Sequence, residues 1–122
     1  MKSARFHSLV LVTAPSARVA RQLVSAALRA RLIACGNLVP AVESHYWWQG
    51  RMESSREVLC VLKARKTALA RLERLVLSLH PYDTPEFLVL PLVAGSARYL
   101  EWLVAETAPA AKVRRVRRRK GG

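Results

Sequence analysis

Short apolar runs of β-branched residues take turns along this chain with apolar stripes of helical spacing, and the order in which they come leaves few folds open. Phe6 to Val12 is such a run, stopping at Thr13-Ala14-Pro15 like a buried strand entering a turn. Ser16 is placed to cap a helix. From Ala17 to Leu32 the residues Ala20, Leu23, Val24, Ala27 and Leu28 recur at helical spacing, while Arg18, Arg21, Arg29 and Arg31 fall largely outside that stripe. Cys35 to Trp48 and Arg51 to Lys63 read as two strands joined at Gln49-Gly50, where glycine supplies the positive φ that a tight turn needs. Both exceed the usual length of about five or six residues, so the hairpin is expected to project past its own domain. Thr67 is placed to cap a second helix with the stripe Leu69, Leu72, Leu75, Val76 and Leu79, which Pro81 ends. Glu86 to Pro91 reads as a fourth strand, with Pro91 at a bulge, an edge or its end. Ser96 then opens a short third helix bearing Tyr99, Leu100, Trp102, Leu103 and Val104.

Strand, helix, strand, strand, helix, strand is the split βαβ unit taken twice. Right-handed crossovers put both main helices on one face of a four-stranded antiparallel sheet, an α+β, ferredoxin-like arrangement with a C-terminal helix added. The other sheet face is left bare. In a chain of 122 residues, 52% of them apolar, the available cover is a second copy, so a homo-oligomer is expected in which the hairpin reaches a neighbour.

Charge divides the chain at about residue 107. Of a net charge of +13, seven units fall between Ala108 and Gly122, where no acidic residue offsets them. A block such as Lys112 to Lys120 repels itself and buries nothing, so residues 1–107 are expected to form the domain and 108–122 a solvated basic tail. Such a tail suits either a solubilising role or a grip on nucleic acid, although it holds no aromatic residue to stack on bases. The longest stretches without Asp, Glu, Lys or Arg, near Leu32 to Glu43 and Phe87 to Arg98, fall short of the roughly 18 apolar residues of a spanning helix. No membrane partner is expected. Leu9 to Val12 is too short for the core of a secretory signal and fits a strand, which makes the cytoplasm the expected compartment and Cys35 and Cys60 reduced, buried thiols.

The segment from His80 to Glu86 is the most informative chemically. His80 ends a helix, Pro81 and Pro85 stiffen the link into the last strand, and Tyr82, Asp83 and Glu86 become pre-positioned polar groups. An imidazole beside carboxylates suits a divalent transition metal such as copper or zinc; a rigid hydrogen-bonded connector uses the same residues. Lys63, Glu57, Tyr82 and Glu86 are candidates for a ligand site where the hairpin meets a neighbouring subunit, or for a structural ion pair. Tyr46, Trp47, Trp48 and Trp102 are expected to anchor an interface. A Gly-rich phosphate loop, a nucleophile elbow and a His-Glu-x-x-His pattern are all missing from the sequence, so catalysis is not expected.

Val12-Thr-Ala-Pro15, Ala34-Cys-Gly-Asn37, Tyr46-Trp-Trp-Gln-Gly50, Glu57 with Lys63, His80-Pro-Tyr-Asp-Thr-Pro-Glu86 and Tyr99-Leu-Glu-Trp102 together resemble the CutA divalent-cation tolerance proteins, over about residues 8 to 107. The resemblance implies a cytoplasmic homotrimer of ferredoxin-like subunits, similar in assembly to the PII signalling proteins, with a part in tolerance of copper and other divalent cations. It also implies a metal role for His80. The family's proposed copper ligands are a Cys on the first strand, where this chain has Val12, and His at the end of the second helix, where it has Leu79-His80. His80 alone remains of that set, which implies weak binding of Cu(II) or another divalent cation. By the same resemblance, a PII-like role with a small anionic ligand held between subunits at Lys63 is the alternative.

Overall fold

The computed structural model describes residues 1–108, so the basic tail lies outside the described residues from position 109 onward. The elements are β1 (Lys2–Ser3), β2 (His7–Ala14), α1 (Ala17–Arg29), β3 (Ile33–Trp48), β4 (Arg51–Arg65), α2 (Leu69–Leu79), β5 (Leu88–Pro91), β6 (Ala94–Gly95) and α3 (Ala97–Glu106). Four strands form one antiparallel sheet in the order β3-β4-β2-β5. This is the ferredoxin-like sheet expected from the doubled split βαβ unit.

Strict alternation along β2 decides which face is the core. Val10, Val12 and Ala14 are buried, and Leu9, Leu11 and Thr13 between them stay half-buried. The buried set joins Cys60, Leu62 and Ala64 of β4 and packs against Ala20, Leu23 and Ala27 of α1 and Leu72 and Val76 of α2. Ser16 caps α1, its hydroxyl accepting from the Val19 N–H at 3.2 Å. The helix stops at Arg29, three residues before the expected end. Arg31 turns left-handed at φ 58°, and the Leu32 N–H reaches back to the Ala27 carbonyl at 3.0 Å, which closes the last turn.

The hairpin is as long as its pattern requires, with Trp48 paired to Arg51 across Gln49 (φ 50°) and Gly50 (φ 78°). Two successive left-handed residues give the turn whose twist matches that of its strands. Thr67 does not cap the second helix as expected. It lies inside a 3-10 turn over Lys66–Ala68, and Ala68, with no side-chain cap bond, occupies the N-cap position of α2. The ribbon of β1 and β6 has no counterpart in the sequence expectations, because two-residue strands carry no periodicity.

Among the described residues, little covers the second face of the sheet. Across the strands, Leu88 and Leu90 of β5 pair with Leu11 and Leu9, which pair with Val61 and Lys63 of β4, which in turn oppose Asn37 and Cys35. Leu88 is 55% exposed and Leu90 41%. Among the described residues only the Lys63 end is covered: Leu100 and Leu103 of α3 cluster with Ala4 and Ala34, Arg31 donates to Glu106 at 2.9 Å, and Arg65 donates to the Val104 carbonyl at 3.0 Å. At that end Cys35 is only partly buried, contrary to expectation, because α3 shields the strand incompletely. Cys60 is fully buried, and burial pushes its thiol up to about 11.

Candidate functional site

Pro81 holds His80 extended (φ −75°, ψ 135°), which ends α2 at Leu79. The side chain then turns inward and is 8% exposed. Its Nε2 donates to the Thr13 carbonyl at the end of β2 at 2.7 Å, and its Nδ1 accepts from the Tyr82 N–H at 3.1 Å. These partners fix the Nε2–H tautomer and clip the connector to the first core strand. The Tyr82 ring lies 4.7 Å from the imidazole, and its hydroxyl donates to Glu57 Oε2 at 2.8 Å. Glu57 sits on β4 and is 7% exposed. Burial, then the bond to Glu57 and that carboxylate's charge, push the Tyr82 phenol up. Burial and the Glu57 charge likewise push the Glu86 carboxyl up. Thr13, Glu57, Tyr82 and Glu86 line a cleft of about 990 Å³ between the root of the hairpin and the connector.

Within one chain Glu57, Tyr82 and Glu86 come together and Lys63 stands apart. Lys63 is six residues along β4 from Glu57, roughly 20 Å at ~3.3 Å per residue, and it faces another group: Nζ donates to Asn37 Oδ1, lies 3.7 Å from Cys35 Sγ and sits over the Tyr99 ring. The aromatic residues also separate. Tyr46, Trp47 and Trp48 stand on the hairpin, Trp47 being 71% exposed, while Trp102 lies on α3 with its ring 5.5 Å from Tyr99. Sequence reading missed the Thr13 carbonyl, since a backbone acceptor leaves no trace in residue type.

The residues do not fit a resident copper centre. Both nitrogens of His80 are engaged, Val12 is 1% exposed inside the core, and Leu79 is a half-exposed aliphatic group. Among the described residues no three His, Cys, Asp or Glu are placed to share an ion.

Glu86 gives the cleft a pH signature. Its folded-state pKa is raised, so the fold favours the protonated carboxyl; that advantage is full below the unfolded value and is lost as pH rises through the folded one. Glu86→Gln is therefore expected to exceed the native chain in urea stability at neutral pH, with the difference vanishing on acidification below the carboxylate range. A variant less stable at neutral pH overturns this.

Residues 8–106 match the family model described as CutA1 divalent ion tolerance protein. The chain is 41% identical over 99 residues to the divalent-cation tolerance protein CutA of Thermus thermophilus, covering 81% of this chain and 96% of that one. It is 38% identical to the chloroplastic protein CutA 1 of Oryza sativa over 81% of its own length, and spans 56% of the rice protein. Among solved structures, the Thermus thermophilus Cut A1 protein superimposes with a TM-score of 0.78 at 41% identity, over 80% of this chain and 94% of that one. Oryza sativa CutA1 does so with 0.81 at 37% identity, over 88% and 100%. The fold is thus shared with relatives of closely similar sequence, and the chain belongs to the CutA1 divalent ion tolerance family.

Proposed function

We propose that the protein serves divalent-cation tolerance in the cytoplasm as a homotrimer that holds metal weakly and carries out no catalysis. The observation behind the assembly is the apolar sheet face: among the described residues Leu11, Leu59 and Val61, half-buried, and Leu88 and Leu90, exposed, lie on one side of the sheet. A patch of this kind on a chain of 13.6 kDa marks an interface. The projecting hairpin brings Tyr46, Trp47 and Trp48 to the place where a neighbour would meet it.

The state of His80 supports weak rather than tight metal binding. For Nδ1 of His80 to take Cu(II), the Tyr82 N–H must lose its acceptor, at a cost of about 1 kcal/mol, and one imidazole remains a poor ligand set for copper. Titration calorimetry on the native chain is expected to give a shallow Cu(II) isotherm, shallower still in His80→Ala, on material sedimenting at three times the chain mass. A tight, saturating isotherm overturns the metal reading, and a monomer mass overturns the assembly.

A small anionic ligand between subunits finds less support. Lys63 is remote from the cleft in one chain, and an anion there would face Glu57 and Glu86.

A further inference from the structure

The cleft at the hairpin root has a charge opposite to that of the protein around it. Of the chain's eight carboxylate residues, four (Glu53, Glu57, Asp83 and Glu86) line it, and none of the 14 Lys and Arg among the described residues does. Its walls are aromatic as well: Tyr46, Trp47, Trp48 and Tyr82 all contribute. Residues 1–108 hold 14 Lys and Arg against the eight carboxylates, so such sorting runs against composition.

Glu57 is set apart from the other three by its burial. It is 7% exposed, and Tyr82 is its sole hydrogen-bond partner among the described residues, where it forms no ion pair. A buried carboxylate without a cation is costly, and an arriving cation recovers that cost. Metal ions are poorly served, because no three ligating side chains converge among the described residues. An alkylammonium or guanidinium group needs no such convergence. It accepts dispersed carboxylates as hydrogen-bond partners and gains from lying over aromatic faces. The cleft, about 990 Å³, is also large enough for an organic molecule.

We propose that the cleft between the hairpin root and the His80–Glu86 connector binds a small organic cation, an amine or guanidinium with an apolar stem. Glu57 and Glu86 would receive its donors and the Tyr82 ring would flank the stem, with Tyr46, Trp47 and Trp48 closing the outer side of the cleft where the neighbour meets the hairpin. Binding of this kind is independent of the weak affinity for metal, which rests on His80.

The test is calorimetric titration of the full-length chain with agmatine, with glutarate as the anionic counterpart and Mg(II) as the inorganic one, read in parallel by tryptophan fluorescence. Agmatine is expected to bind and to shift the fluorescence, while glutarate and Mg(II) do neither. Glu86→Gln, in a residue that makes no side-chain hydrogen bond among the described residues, is expected to weaken agmatine about tenfold or more, the scale of one charged hydrogen bond. Glu57→Gln, which keeps an acceptor for Tyr82, is expected to do at least as much, with thermal melts confirming that each variant is folded. Absence of agmatine binding, equal affinity in native and variant chains, or displacement of agmatine by equimolar Mg(II) overturns the proposal. Loss of copper binding in His80→Ala with agmatine affinity intact leaves it standing.

Discussion

Val61→Asp is expected to turn the proposed homotrimer into folded monomers. Val61 stands in the middle of the open face, opposite Leu11 on one side and Asn37 on the other, and it is only half-buried in the single chain. An aspartate there can remain hydrated in a monomer. Closing the face over it strands one carboxylate per subunit in an apolar contact, at an effective cost of several kcal/mol per ion, enough to dissociate an association held by apolar burial. Sedimentation velocity should show a single slow species at the chain mass, with the far-ultraviolet dichroism of the native protein retained. Leu77→Asp supplies the control, since Leu77 is 45% exposed on α2, on the other side of the sheet. It should leave the sedimentation pattern unchanged. A Val61→Asp protein that still sediments at three times the chain mass would show that the open face is not the seal.

The second large effect is expected at Gly36, where α1 rides over β3. A Cβ added there would lie 2.8 Å and 3.0 Å from the two methyls of Val24 and 3.3 Å from Leu62 Cδ2. Val24 packs against the core and Leu62 is fully buried, so neither moves aside easily. Overpacking of this kind costs about 1 to 3 kcal/mol, and each kcal/mol lowers the melting temperature of a domain this size by roughly 4 to 8 °C. Gly36→Ala should therefore melt well below the native protein. Combining it with Val24→Ala should restore part of the loss, because the second change removes the methyls the first one meets. Additive losses in the double variant would place the strain elsewhere.

The fold is legible in the sequence where a periodicity runs long enough to count. The alternation of Val10, Val12 and Ala14, the stripe Ala20, Leu23 and Ala27, and the glycine after Gln49 each signal their element and the face it buries. Legibility ends where tertiary contacts set the outcome. Thr67 has the residue type of a cap, yet the chain enters α2 through a 3-10 turn and Ala68 takes that position. The β1–β6 ribbon is two residues per strand. The site divides in the same way. Glu57, Tyr82 and Glu86 can be grouped by residue type and meet in the fold, but Lys63 shares their polarity and not their place, since strand register rather than composition sets it opposite Cys35. That both nitrogens of His80 are committed could not be read beforehand, because its partners are a carbonyl and an amide of the backbone.

The two cysteines make unequal chemical handles. Cys60 is sealed between sheet and helices with its thiol held protonated, whereas Cys35 stands near the rim of the uncovered surface, within reach of reagents in a lone subunit. A maleimide dye would therefore mark one defined position without mutagenesis. Its rate of attachment would report, in real time, how much of that surface other copies occupy.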